Sequence, residues 1–524
     1  MNTNLPLRPL GDYIRLLEEQ GLLAAAPGEA APPAEAAPPA GADRDREVAL
    51  VTCDSRSAVP GTLFICKGAR FKPAYLDQAA RRGAFCYVSE APYPDCPLPA
   101  LTVSDVRRAM ALLANFYYNE PWRELRVVGI TGTKGKSSTA YFIKSILDTY
   151  LARKEGQESG LISSIATYDG VERFPSRLTT PEPLDVERHL ANALDCGLEF
   201  LTMEVSSQAL KYDRVLGLEF SAAVFLNIGV DHISAIEHPD FEDYFSSKLR
   251  IFSQCAAACV NLDSDHAGRI LDAARRGTAS RVITFSRHDP SADVFAGNIR
   301  KLGHDTLFRV RTPRYERELR LCVPGSFNVE NALAAVAAAE CFALSPDCVE
   351  TGLLKARVPG RMEPYLSADG RVVVLVDFAH NKLSFEALLH SARQEYPDRQ
   401  VAVLFGCPGS RAPGRREDMG TLAGQYAHRV YLTEDDAGEE DPADICRQIA
   451  VHVLDQGKTP VIELDREKAI RRAVFDCEAP SVVLVAGKGS EDYQLRGAVH
   501  VPYPTDGLVV ERILREYDAA RGRV

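Results

Sequence analysis

The 524-residue chain has no run of about 18 apolar residues, so no part of it reads as a membrane-spanning helix. The N-terminal stretch MNTNLPLRPLGDYIRLLEEQ has no basic start followed by an apolar core, and no secretory signal is expected. No CxxC pair occurs among the 13 cysteines, which excludes a zinc ribbon or a thioredoxin-like site. An odd number of scattered cysteines, from Cys53 to Cys477, reads as buried thiols in a reducing compartment. A basic excess is also missing. With 61 Lys and Arg against 72 Asp and Glu, the net charge is −11. That balance disfavours nucleic acid and anionic lipid as partners but still allows a local basic pocket for one phosphorylated ligand. With 46% hydrophobic and 25% charged residues, 36 Gly and 32 Pro, the composition excludes disordered, collagen-like and coiled-coil chains. A cytoplasmic protein of three or four domains is expected, at about 150 residues per domain.

Residues 24–43, AAAPGEAAPPAEAAPPAGAD, form an Ala/Pro-rich insert that breaks helices and cannot build a core. Residues 48–104 read as a small α/β unit: short strands in EVALVTCDSRSAVPGTLFICKG, a helix in YLDQAARRG and a strand in AFCYVSE. From Leu125 an apolar strand, LRVVGI, leads through TGTKGKSS into the amphipathic helix TAYFIKSILDTYLARK, the opening of a parallel α/β sheet. FLTMEVS and AAVFLNIG are further strands, and residues 329–355 are mainly helical. Beyond Arg361, RVVVLVDFAH, QVAVLFGC, RVYLTEDD, TPVIELD and SVVLVAGKG are five strands with helices between them, such as KLSFEALLHSAR and PADICRQIAVHVLDQ. Ligands of such sheets bind at the carboxyl ends of the strands, where Asp377, Gly406, Glu434 and Gly487 stand.

The segment Thr131-Gly132-Thr133-Lys134-Gly135-Lys136-Ser137 has the make-up of a phosphate loop. Glycines let the backbone wrap an anion, and the N–H groups at the head of the following helix supply positive potential. Lys136 suits the outer phosphates and the Ser137 hydroxyl suits Mg²⁺. The spacing, GxxGKS, is shorter than the usual GxxxxGKS, and a bare GKS is as readily a turn. The strand before it and the helix after it make nucleotide binding the expectation. Glu204, ending an apolar strand in MEVSSQ, is a candidate Mg²⁺ ligand. On sequence alone a helix cap by Ser206 or Ser207 is the favoured reading of that segment. Asn227, Asp231 and His232 cluster at another strand end and divide evenly between site and structure. Lys248 falls on a helix, where a lysine ordinarily lies on a solvated face.

Together these pieces resemble the Mur ligases, ATP-dependent amide-bond ligases, and the resemblance covers most of the chain. LCVPGSFNVENALAA contributes Asn331, VPGRME contributes Arg361, and VDFAH contributes Asp377 and His380. DSRSAVPGTLFICKGARFKPAYLDQAARRGA is similar to the domain that holds the UDP-sugar. RLTTPEP, MEVSSQAL and the Arg of KYDRV resemble the members that add the third residue of the peptide of a peptidoglycan precursor. The fold implied is α/β in three domains: a small N-terminal UDP-sugar-binding domain (1–105), a central P-loop parallel-sheet ATPase domain (106–360) and a C-terminal Rossmann-like domain (361–524). The resemblance also implies roles. Gly132, Thr133, Lys134, Gly135, Lys136, Ser137 and Ser138 would bind ATP, with Asn331, Arg361, Asp377 and His380. Ser137, Glu204, His232 and Lys248, the last carbamylated by CO₂, would hold two Mg²⁺ ions. Lys136, Lys248, Glu204 and His232 would be catalytic. Ser55, Thr179, Thr180, Ser206 and Arg214 would contact the UDP-muramoyl dipeptide. The expected partners are that nucleotide, ATP and an amino acid, on a monomeric enzyme.

The amino-acid pocket departs from the pattern. Members that add meso-diaminopimelate carry DNPR, where this chain has Asp435-Asp436-Ala437-Gly438. The Arg that would bind a distal carboxylate is absent. The acidic run Glu434, Asp435, Asp436, Glu439, Glu440, Asp441 would favour an ammonium tip, although a solvated acidic loop is an equal reading. L-Lysine is the preferred substrate, with L-ornithine close behind and diaminopimelate as the alternative. Arg416, Gly487 and Glu491 match positions around the α-carboxylate and α-amino groups. Ser490 stands where His is frequent, and VDFAHNKLSF differs from the commoner VDYAHTPD. Folylpolyglutamate synthetase is a second reading, and the N-terminal unit with the TTP and EVSS segments argues against it. A catalytically inactive regulator is a third, opposed by intact Lys136, Ser137, Glu204, His232, Lys248 and Asp377.

Overall fold

Short apolar runs closed by Gly, Pro or an acid become parallel strands, and the longer amphipathic stretches between them become the helices that cover those strands. The computed structural model describes residues 5–23, 43–68, 71–230, 233, 237–302, 305–410 and 413–522. Asp231, His232 and the Ala/Pro-rich insert, apart from Asp43, lie outside the described residues. Two compact units emerge: residues 1–136 with 151–284, and residues 137–150 with 285–524. Among the described residues no helix is long and apolar enough to cross a membrane. All 13 cysteines are free thiols; most are buried, as expected, while Cys53 is exposed.

The first unit begins with a four-stranded parallel sheet, Leu50–Thr52, Thr62–Ile65, Ala84–Ser89 and Ala100–Thr102, in that order. Helix α1 (Leu10–Glu19) packs on this sheet, α2 (Pro73–Arg81) follows its second strand, and α3 (Val106–Tyr117) follows its last. Leu10, Ile14 and Leu17 of α1 share a core with Val51, Leu63 and, from α3, Met110 and Leu113. Leu76 and Ala79 of α2 pack with Phe64 and Tyr87 in a second core. Asp105 caps α3 by accepting from the N–H groups of Arg107 and Arg108.

In the larger sheet of this unit, Arg126–Thr131 lies between Phe200–Glu204 and Ala222–Phe225, all parallel. Gly160–Ile162 extends the sheet beyond Phe200–Glu204, and Ala257–Asn261 extends it beyond Ala222–Phe225. Nearly every residue of the three central strands is buried, because helices cover both faces. The phosphate loop leads into α4 (Lys136–Ala152), whose residues 137–150 belong to the second unit; α5 (Pro183–Asp195), α6 (Ser207–Lys211), α7 (Phe241–Leu249) and α8 (Ala267–Arg276) are further helices of the first.

In the second unit Phe285 and Ser286 pair in parallel with Val294 and Phe295. Val294–Leu302, Asp305–Arg311 and Glu316–Leu321 then form antiparallel neighbours. Helices α9 (Asn328–Cys341) and α10 (Pro346–Lys355) follow. The last sheet is doubly wound. Val372–Asp377, Ser481–Ala486, Gln400–Phe405, Arg429–Leu432 and Val461–Ile462 are parallel in that order, and Glu363–Leu366 is antiparallel at the edge. All five strands read from the sequence are present. Helices α11 (Lys382–Glu395), α12 (Gly414–Tyr426) and α13 (Pro442–Leu454) build one core, and α14 (Arg466–Phe475) and α15 (Asp506–Ala520) build the opposite one. Asp377 ends its strand, and Gly406 and Gly487 directly follow theirs, as expected of ligand-binding positions.

Candidate active site

Because Arg126–Thr131 sits between its two parallel partners, three strand ends converge. The loop after Thr131 turns beside Glu204 on one neighbour and Asn227 beyond the other. Gly135, just ahead of α4, has φ +89°, a left-handed conformation that glycine adopts without strain. Asn227 fastens the loop: its Oδ1 accepts from the Thr133 and Lys134 N–H groups at 3.1 and 2.9 Å, and its Nδ2 donates to the Lys134 carbonyl. Lys136 Nζ donates to the carbonyls of Gly132 (2.9 Å) and Thr133 (3.3 Å). Lys248 also reaches this loop. It is 1% exposed, not on a solvated face, and its Nζ donates to the Gly132 carbonyl at 2.9 Å. Burial of the last turn of α7 against the loop overrides the usual surface placing of lysine. Two lysines thus converge on the Gly132 carbonyl of one phosphate loop. Ser137 and Ser138 are buried in the first turn of α4.

A second constellation forms where Phe200–Glu204 meets α6. Ser206 caps α6 by accepting from the Ala209 N–H, so the cap expected there exists. Glu204 is nevertheless a buried carboxylate at the strand end, and its Oε1 accepts from the Ser164 N–H (2.8 Å) and hydroxyl (3.2 Å). Thr180 joins the pieces: its hydroxyl donates to the Glu204 carbonyl at 2.9 Å and accepts from the Ser206 N–H at 3.0 Å. Arg214 donates to the Thr180 carbonyl at 3.1 Å. On α5, His189 Nδ1 lies 2.6 Å from Asp169, which follows the strand Ala166–Tyr168. Burial would raise the Asp169 pKa, but hydrogen bonds from His189, the Glu172 backbone and Asn192 hold it at about 2. Ser55, by contrast, donates to Gln78 beside its own sheet.

In the second unit the Thr139 hydroxyl meets Asn331 Oδ1 at 3.4 Å, and Asn331 donates to Asn328. Asp377 accepts from the Met362 and Ala379 N–H groups, both at 2.8 Å, and burial raises its pKa. Arg361 lies 4.4 Å over the Phe378 ring, and His380 Nδ1 is 2.8 Å from the Phe378 carbonyl. The Gly487 N–H donates to the Asp377 carbonyl, which joins these residues to the loop carrying Glu491.

The acidic run corrects the sequence reading. Only its far part is solvated, because Glu434 and Asp435 are buried whereas Glu439 and Asp441 are exposed. The run is not a pool of free negative charge. Arg496 takes both oxygens of Glu434 at 2.8 Å, Lys488 pairs with Asp436 at 2.8 Å and Glu491 at 2.7 Å, and Arg416 pairs with Glu440 at 2.8 Å. The buried carboxylate left over is that of Asp435, which makes no hydrogen bond or ion pair among the described residues. Burial pushes its pKa up to about 6, against the pull of Arg466 and Lys488. Gly438 has φ +58°, and its N–H donates to the Leu495 carbonyl, so an arginine at this position would be strained.

Residues 130–339 match the model of the Mur ligase middle domain, and residues 360–489 match that of the Mur ligase glutamate ligase domain. A UDP-N-acetylmuramyl-tripeptide synthetase of Lactobacillus acidophilus is 38% identical over 489 residues, spanning 89% of this chain and 92% of the relative. The chain belongs to the Mur ligase family. It is therefore an ATP-dependent acid–amino-acid ligase. A second relative, the UDP-N-acetylmuramoyl-L-alanyl-D-glutamate–L-lysine ligase of Enterococcus faecalis, is 38% identical over 479 residues, 90% of this Mur ligase and 92% of that protein. The solved structure of a UDP-N-acetylmuramoyl-L-alanyl-D-glutamate–2,6-diaminopimelate ligase aligns with a TM-score of 0.66 at 24% identity. It covers 93% of this chain and 98% of that one, a likeness of fold.

Four residues of this Mur ligase escaped the sequence reading as site members. Asn227 was noted only as a neighbour of Asp231 and His232; its position just past an apolar strand was the available signal. Ser164, Tyr244 and Lys488 left none, because each acquires its meaning from a partner distant in sequence. Lys488 is fully buried between Asp436 and Glu491. Tyr244 places its hydroxyl 3.0 Å from Thr133 Oγ1.

Proposed function

We propose that this Mur ligase adds L-lysine to UDP-N-acetylmuramoyl-L-alanyl-D-glutamate, with ATP converted to ADP and phosphate. The observation that carries the choice of amino acid is Asp435, a buried carboxylate with no hydrogen bond or ion pair among the described residues, beside a Gly438 that offers no side chain for a second carboxylate. An ammonium entering there gains a charge-assisted contact and leaves no buried charge unpaired. The kinship with the L-lysine ligase of Enterococcus faecalis supports the same reading.

The D-glutamate carboxylate attacks the γ-phosphorus of ATP, and the bond to ADP breaks. The lysine amine then attacks the acyl carbon, phosphate departs and the nitrogen loses a proton. Negative charge concentrates in both steps, so Lys136 and the N–H groups at the head of α4 contribute by stabilising it. Asn331, Arg361, Asp377 and His380 complete the ATP contacts in this reading, and Ser55, Thr179, Thr180, Ser206 and Arg214 seat the nucleotide dipeptide. Arg416, Asp435, Asp436, Gly487 and Glu491 frame the amino acid. Residues 1–105, 106–360 and 361–524 serve the three ligands in turn.

The oxygen donors present fit Mg²⁺. Glu204 has Oε1 satisfied by Ser164, while Oε2 makes no hydrogen bond among the described residues. Glu204, Ser137 and His232 would hold such ions, with Lys248 as a carbamate, which converts a cation into an anionic ligand. Bound Mg²⁺ would supply charge neutralisation on the phosphates.

An amino-acid panel tests the proposal. ADP release is expected only when the UDP-muramoyl dipeptide and an amino acid are both present, fastest with L-lysine and slow with meso-diaminopimelate. Preference for diaminopimelate would overturn the assignment of Asp435. ATP turnover without either co-substrate would overturn the ligase reading.

A further inference from the structure

Three charged side chains meet near the head of α5. Lys67 follows the strand Thr62–Ile65, Glu182 immediately precedes α5, and Arg214 lies just beyond α6. The Lys67 ammonium pairs with Glu182 Oε2, and Arg214 Nη2 pairs with Glu182 Oε1 at 3.1 Å. The side chains are 19%, 28% and 17% exposed in that order, sheltered but reachable. Two cations share one carboxylate, so the trio carries a surplus positive charge. Asp185, the next acid along α5, lies 3.6 Å from Arg188. Glu182 also occupies the N-cap position of a 13-residue helix, yet its side chain makes no cap hydrogen bond. It has turned away from the partial positive charge of the helix end toward the two cations.

We propose that Lys67 is a substrate-binding residue. With Arg214 it forms a two-cation receptor for a carboxylate of the acidic peptide on the nucleotide sugar, and Glu182 fills the receptor until substrate arrives. The planar, two-oxygen seating of Glu182 is the geometry a peptide carboxylate would copy. Arg214 is tied to Thr180, so the receptor sits beside the segment assigned to the dipeptide. The inference deepens the proposed function and rests on that assignment. It adds a contact from the N-terminal sheet, which sequence similarity in the loop after FICKG did not single out.

Calorimetric binding of UDP-N-acetylmuramoyl-L-alanyl-D-glutamate and of UDP-N-acetylmuramoyl-L-alanine separates the anions, since both carry the same diphosphate and only the first has the glutamate carboxylates. Lys67→Ala is expected to weaken the dipeptide form about tenfold or more and the alanine form less than about threefold. Lys67→Arg is expected to recover most of the loss, with ADP affinity and thermal midpoint unchanged. Glu182→Gln is expected to tighten the dipeptide form severalfold, because a competitor for the cations is removed. Equal losses for both nucleotides would assign Lys67 to the diphosphate and overturn the proposal, as would no loss at all. Weakening by Glu182→Gln would overturn the stand-in role. If the unmodified enzyme bound neither nucleotide, the ligase reading itself would fall, an outcome distinct from binding that ignores Lys67.

Discussion

Tyr244 is fully buried, and each part of it touches something that matters to the phosphate loop. Its hydroxyl meets Thr133, its ring lies 4.8 Å from Lys248 Nζ, and its edge packs on His238. His238 in turn bridges Asp243 (2.6 Å) and Ser207 (3.0 Å). Removing the hydroxyl alone leaves the packing intact but takes one partner from the Thr133 hydroxyl, which keeps the Gly229 N–H at 3.0 Å. Tyr244→Phe is expected to raise the KM for ATP and the dissociation constant for ADP about three- to tenfold, with little change in the amino-acid KM. Initial rates and ADP titration check this, and an unchanged ADP affinity would reduce Tyr244 to packing. Lysines illustrate what a sequence hides at this scale. Lys136 was legible because its neighbours, Gly135 and Ser137, are adjacent in sequence. Lys248 was legible only through the family resemblance, and Lys488 and Lys67 were not, since their partners Gly132, Asp436 and Glu182 are brought to them only by folding.

Helices α3 and α5 join through a buried polar pair, Asn115 Nδ2 donating to Glu187 Oε1 at 3.1 Å, while Glu187 Oε2 has no hydrogen bond. Burial pushes the Glu187 pKa up to about 8 from an unfolded value of 4.5, with Asn115 pulling weakly the other way. Between those two values the folded state holds a proton that the unfolded state has released. Stability from this group is therefore full below pH 4.5, declines as pH rises toward 8 and then levels. Glu187→Gln is expected to gain on the wild type in urea midpoint progressively from pH 5 to 8; a pH-independent difference would refute the charge argument. Elements themselves were well read where burial is continuous. The runs VVVLV, VAVLF and SVVLVA could hardly be anything but covered strands. The antiparallel strands Val294–Leu302, Asp305–Arg311 and Glu316–Leu321 were passed over, because their faces alternate with exposed Arg, Lys and Glu and leave too weak an apolar pattern.

The whole chain divides into two compact units, and its single tryptophan, Trp122, is half-buried against the core of the first. Tryptophan fluorescence therefore reports one unit, whereas backbone circular dichroism reports both. Urea unfolding is expected to give midpoints that differ between the two probes, and coincident transitions would mean that the units unfold as one. The reading of three α/β blocks came from the repeated alternation of strand and helix, a pattern that survives at any scale. What no local pattern conveyed was strand order. Arg126–Thr131, which launches the phosphate loop, is the first long strand of its sheet to be made, yet it is flanked by Phe200–Glu204 and Ala222–Phe225. On a ribosome working at about 5–20 residues per second, the loop emerges roughly 5–20 seconds before the strand and Asn227 that shape it. Until then Gly132 to Lys136 is only a glycine-rich turn with its chemistry unassembled. The order in which its strands are delivered thus delays the assembly of the phosphate loop.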